Sequence, residues 1–153
     1  MLKLVAATLL TSALACSSAA FAQEKGAADE ASALVKKAVA HFKAVGKDKA
    51  CADFADSQGA FQMKDLYVFV QGTDNVVLCH GKNAAFNGKD MSNLKDTDGK
   101  LFIQEMSNVA KSAGAGWIDY KWVNATTKKI EPKSTYVEKI DGPLYAGAGI
   151  YKP

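Results

Sequence analysis

Apolar residues recur at three- and four-residue steps from Ala31 through Leu34, Val35, Ala38 and Phe42 to Val45, with Lys36, Lys37 and Lys43 on the opposite side. That spacing predicts an amphipathic helix, with Asp29 and Glu30 in its first turn and Gly46 as its stop. Asp48 opens a shorter helix through Cys51, Phe54 and Ala55. The period then changes to two. Residues 65–70 alternate Leu66, Val68 and Val70 against Tyr67 and Phe69, which predicts a strand apolar on both faces and therefore central. Gly72-Thr73-Asp74-Asn75 reads as a hairpin connection into a return strand over 76–80. Residues 82–98 are loop-like, and Asp96-Thr97-Asp98-Gly99 is read there as a turn and helix cap, since it lacks the ligand spacing of a calcium loop. Phe102, Ile103, Met106, Val109, Ala110 and Ala113 form one stripe of a helix over 100–113.

The alternation that follows carries the candidate chemistry. In residues 117–123, Ile118, Tyr120 and Trp122 share one face of a strand, and Trp117, Asp119 and Lys121 share the other. A polar connection over 124–129 leads to a return strand over 133–140, expected at a sheet edge because Pro132 lacks a ladder donor. Lys133, near Ser134 and Tyr136, brings a cation to this aromatic span. The last strand, 144–151, loses its bulk at Ala146, Gly147, Ala148 and Gly149, so either a ligand, another backbone or a closely packed helix approaches it. The order helix, short helix, two strands, loop and helix, three strands predicts an α+β fold with a five-stranded, largely antiparallel sheet. The long N-terminal helix is expected on one face, with the crossover loop and helix enclosing a pocket on the other.

Composition narrows the function. The 153-residue chain has a formal net charge of +3, too balanced for the concentrated basic face that nucleic acid requires. All 19 basic residues are lysines, so an anion must be held without bidentate guanidinium contacts. Lys3, the apolar run 4–15 and Ala20-Phe21-Ala22 read as a secretory signal cleaved near Ala22. This predicts a single domain over 23–153, periplasmic or secreted, with no membrane span in the mature chain. A lipoprotein signal ending at Cys16 is the competing reading. Cys51 and Cys79 then remain in an oxidising compartment, either as a disulfide or as two buried thiols. No metal or cofactor motif is present, and no G-x-S-x-G, H-E-x-x-H or paired-cysteine pattern supports an enzyme. His80, at the end of a strand that opens into the long loop, is well placed to meet a ligand.

Five motifs in order, DLYVFVQGTDNVVLCHG (65–81), NGKDMSNLKDTDGK (87–100), GWIDYKW (116–122), EPKSTYVE (131–138) and GAGIYK (147–152), resemble those of the single Cache domain, type 2, a PAS-like extracellular sensor module. The resemblance implies a PAS-like sheet and a pocket lined by His80, Tyr120, Trp122, Lys133 and Tyr136. It also implies a small organic acid as ligand and signal transduction as the role, since such domains usually form the outer part of chemoreceptors and histidine kinases. Gly81 stands where receptors of this type commonly carry proline, so the pocket mouth is expected to differ. The chain stops at Pro153 without a signalling domain, so a separate membrane receptor or kinase is the expected partner. A protein-interaction module with no ligand pocket is the alternative, and a small secreted enzyme a more remote one.

Overall fold

A computed structural model describes residues 24–152. The expected signal segment and Cys16 lie outside that range. Helix α1, Ala28–Val45, starts where the Glu30 carboxylate accepts from Ala27 N at 2.8 Å and ends where Gly46, at φ 79°, donates to Phe42 O at 3.0 Å. A left-handed φ suits glycine, which has no Cβ to clash. Its buried stripe, Ala31, Leu34, Val35, Ala38, Val39 and Phe42, is the apolar face legible in the sequence. Helix α2, Lys47–Ala55, follows at once and is joined by a Cys51–Cys79 disulfide to the sheet.

The strands are β1 (Gln62–Met63), β2 (Leu66–Tyr67), β3 (Phe69–Gly72), β4 (Val77–His80), β5 (Ala115–Val123), β6 (Ile130–Lys139) and β7 (Leu144–Tyr151). Five of them form an antiparallel sheet, as the element order predicts, and their order in it is β4-β3-β7-β6-β5. Several expectations need correction. Residues 65–70 are not one strand: Leu66–Tyr67 folds back on Gln62–Met63 through Lys64, at φ 55°, and the chain enters the main sheet only at Phe69. Nor is β6 an edge, because it lies between β5 and β7. Pro132 is tolerated there because its carbonyl already faces Lys152 N, at 2.9 Å, beyond the last residue of β7. In an antiparallel ladder a residue presents its N–H and C=O to the same neighbour, so the missing donor falls where the ladder ends.

One face of the sheet packs on α1 and the other on α3, Phe102–Ser112, with the 81–101 crossover beside it. The small residues of β7 divide between these layers. Ala146 and Ala148, both fully buried, sit in the α1 core. On the opposite face a Cβ on Gly147 would come within 2.4 Å of the Phe69 ring, and one on Gly149 within 2.6 Å of Lys133 Cε. Helix packing and room for a polar side chain are therefore both served by one strand. The two-residue alternation is interrupted in β4, where Val70 pairs with Cys79 but Gln71 with Val77, leaving Leu78 as a bulge. The expected cap at Asp96 is also different. The N-cap of α3 is Leu101, with no side-chain bond, and Asp96 instead closes its own turn on Asp98 N and Lys100 N and reaches Lys121 N of β5 at 3.1 Å.

Candidate ligand-binding site

Between the α3 face of the sheet and the crossover lies a cavity that offers about 60 Å³ to the centre of a water molecule. At about 10–15 Å³ per water, this is room for roughly four to six water-sized groups. The floor comes from alternating residues of neighbouring strands: Tyr67 and Phe69, His80, Tyr120 and Trp122, Lys133, and Gly149. The roof is apolar, with Met91 and Leu94 from the crossover and Phe102 and Met106 from α3. Phe102 stacks on Tyr120 at 4.3 Å and meets Trp122 edge-on at 5.3 Å, which fixes both aromatic walls.

Lys133 is 3 % exposed, yet no carboxylate among the described residues lies against it. Its Nζ donates to Tyr67 OH at 3.0 Å and to Tyr151 OH at 3.4 Å. An ammonium has three donors, so one remains for the cavity. Burial works against the charge, but the oxygens of Tyr120, Tyr67 and Tyr151 favour it, and the net direction of the Lys133 pKa is upward. The group is an ammonium at neutral pH. Burial also raises Tyr120, and raises Tyr151 to about 12, so both stay protonated phenols. The Tyr151 proton goes to Val123 O at 2.9 Å. The Tyr67 proton has no acceptor among the described residues.

His80 supplies a further donor. Its Nδ1 accepts from Lys82 N at 3.2 Å and Asn83 N at 3.0 Å, which places the proton of the neutral ring on Nε2. Burial, and then the nearby Lys133 charge, lower its pKa from 6.5 to about 4, so the ring is neutral under ordinary conditions. The adjacent Gly81 donates its N–H to Val68 O at 2.9 Å. Proline at that position would lack this donor. The cavity thus presents Lys133, Tyr67 and His80 as hydrogen-bond donors within otherwise apolar walls. Such a site suits a small, acceptor-rich anion.

The depressed pKa has a consequence for stability. Above pH 6.5 His80 is neutral whether the chain is folded or not; below that, the unfolded chain takes up a proton that the folded protein refuses until about pH 4. Stability therefore falls with decreasing pH, by about 2 kcal/mol between pH 7.5 and 5 from this group. Urea unfolding at both pH values should show that loss in the wild type and a smaller one in His80→Gln. Equal losses in the two proteins would remove His80 as the cause.

Four of the five residues expected to line a pocket, His80, Tyr120, Trp122 and Lys133, border this cavity. Tyr136 does not. Three residues after Lys133 on one strand, it lies on the opposite face, where it packs on Trp117 at 5.3 Å and its hydroxyl donates to Glu138 at 3.1 Å. Strand alternation alone excludes it from the Lys133 face. Sequence reasoning passed over Tyr67 and Tyr151, the two residues that hold the ammonium. Tyr67 was legible as the face opposite Leu66, and Tyr151 lies in step with Gly147 and Gly149.

Comparison with known proteins agrees with this architecture. Residues 7–143 match the family model described as Single Cache domain 2. A stretch of 89 residues is 34 % identical to the sensor histidine kinase MctS of Rhizobium johnstonii, covering 58 % of this chain and 19 % of the kinase. The chain therefore spans about a fifth of that relative's length. Among solved structures, a Cache chemosensory domain described for carboxylic acid recognition superposes with a TM-score of 0.69 at 23 % identity, over 82 % of this chain and 92 % of that one. A periplasmic sensor domain of a chemotaxis protein superposes with a TM-score of 0.62, also at 23 % identity, over 82 % and 90 %. At that identity the likeness establishes the fold.

Proposed function

The chain belongs to the Single Cache domain 2 family, and we propose that it is a non-enzymatic sensor domain that binds a small carboxylate on the Lys133 ammonium. One observation carries the reading: a buried cation that lines a small cavity and has no protein carboxylate beside it among the described residues. In a largely apolar site, a charge of this kind gains most from an anion brought by a ligand. Tyr67 O–H and His80 Nε2–H would donate to the same carboxylate, and Tyr120, Trp122 and Phe102 would cover the rest of the molecule. Among the described residues no acidic side chain lines the cavity to pair with an amine, which disfavours amino acids and amines. Carboxylic acid recognition by a structural neighbour points the same way. No described helix is long and apolar enough to cross a membrane. The domain is proposed to act in the periplasm or outside the cell after loss of residues 1–22, and to pass its liganded state to a membrane receptor or kinase.

A thermal-shift screen of the purified protein against short carboxylates, amino acids, amines and purines tests the ligand class. A carboxylate at 100 times its dissociation constant should add about 2.7 kcal/mol of stability, on the order of 10 °C for a domain of this size. Stabilisation by amines or purines, with none by carboxylates, would sink the proposal.

A further inference from the structure

Tyr67, His80, Phe86 and Trp122 line two spaces at once, the inner cavity and a larger chamber directly outside it. The outer chamber offers about 320 Å³ to the centre of a water molecule, against about 60 Å³ inside. Its far wall is the connection from β5 to β6. Of the polar side chains that line the chamber, Asn124 and Asp65 are already engaged, and Lys82 is exposed to solvent. Asn124 accepts from Thr126 N at 2.9 Å and donates to Glu131 at 2.8 Å, and Asp65 accepts from Gly26 N at 2.6 Å. Lys133 lines the inner cavity and not the chamber. An anion anchored on the ammonium therefore sits inside, and any tail it carries must grow toward the shared wall.

Two of the four wall residues are polar donors, and the other two are apolar screens. Phe86 stands on the three-residue 3-10 turn Ala84–Phe86, edge-on to His80 at 5.3 Å. Trp122 comes from the opposite side, near the end of β5, edge-on to Phe102. Neither ring is clamped by a charge. We propose that Phe86 and Trp122 form a partition between the two spaces, which sets the greatest chain length of the ligand, so that opening it admits longer unbranched carboxylates with their tails in the outer chamber. This inference rests on the carboxylate reading of the inner site. With the partition closed, methylenes beyond the first few have no space. With either ring removed, each additional buried methylene gains about fourfold in affinity.

The test is calorimetric titration of the purified wild type, Trp122→Ala and Phe86→Ala with acetate, propionate, pentanoate and hexanoate, after melting curves confirm that each protein is folded. Wild type should favour propionate over hexanoate by about 100-fold or more, a margin within reach of a size-limited pocket. Either variant should raise hexanoate affinity relative to propionate by about 30-fold, two to three methylenes' worth. Phe86→Ala keeps the test open if Trp122→Ala fails to fold, because it opens the same wall from a loop. An unchanged ranking in the folded variants, with short acids still bound, would overturn the partition and leave the carboxylate site standing. Failure of all three proteins to bind any of the four acids would overturn both.

Discussion

Lys133→Met is expected to abolish carboxylate binding, by a hundredfold or more, while leaving the protein as stable as the wild type or more stable. Methionine keeps much of the length of the side chain and packs well against aromatic rings. It removes the one charge that the described residues bring to the cavity for an anion. A carboxylate entering the same space would then be buried without a counter-charge, at a cost of several kcal/mol, and this outweighs its remaining bonds to Tyr67 and His80. The free protein loses the Nζ bonds to Tyr67 and Tyr151 together with the cost of desolvating a buried charge, and replacing such a charge with an apolar group of similar volume is often neutral or stabilising. Tyr151 keeps its bond to Val123 O without the lysine. Titration calorimetry and thermal melts of the two proteins decide the matter. Retained affinity would rule out Lys133 as the anchor, and a large loss of melting temperature with lost affinity would make the lysine a structural post.

Removal of the disulfide in Cys51→Ala/Cys79→Ala is expected to cost about 3.6 kcal/mol of stability, from the loop-closure entropy of a cross-link of this span. The bridge joins positions 28 residues apart and ties α2 to β4 at the residue before His80. Ala50 and Phe54 of α2 are fully buried in the same core as Cys79, so α2 should remain docked, and the loss should be mainly that of the constraint on the unfolded chain. Urea unfolding of the wild type, with and without reductant, and of the double variant measures it. A loss below about 1 kcal/mol would show that the unfolded chain gains little freedom when the link is absent.

Most elements were legible because their periods are strong. The stripe from Ala31 to Phe42 and the one from Phe102 to Ala110 each have one apolar side, and both helices stand where those stripes require. The face shared by Ile118, Tyr120 and Trp122 is observed, with Ile118 buried and the two aromatics in the cavity. Lys133 was expected to line a pocket and does line the cavity, and the alternation that excludes Tyr136 was equally available. The short β1–β2 ladder was not legible, since two-residue strands carry no period. Pro132 suggested an edge, but its donor faces past the end of a neighbouring strand, a matter of register that no local pattern encodes.

What the sequence by itself determined was the succession of helices and strands, the sidedness within each unbroken strand, and the presence of a cation among aromatics. The tertiary structure decided which sides face the same space. Val77 and His80, three residues apart, both border the cavity because the bulge at Leu78 reverses the alternation between them. Lys133 meets Tyr67 from 66 positions away and Tyr151 from 18, through the pairing of β6 with β7 and the fold-back at Lys64. A period of two relates a residue to its neighbours on one strand, whereas the relation between strands depends on register, bulges and order in the sheet. Those exist only once the chain has folded.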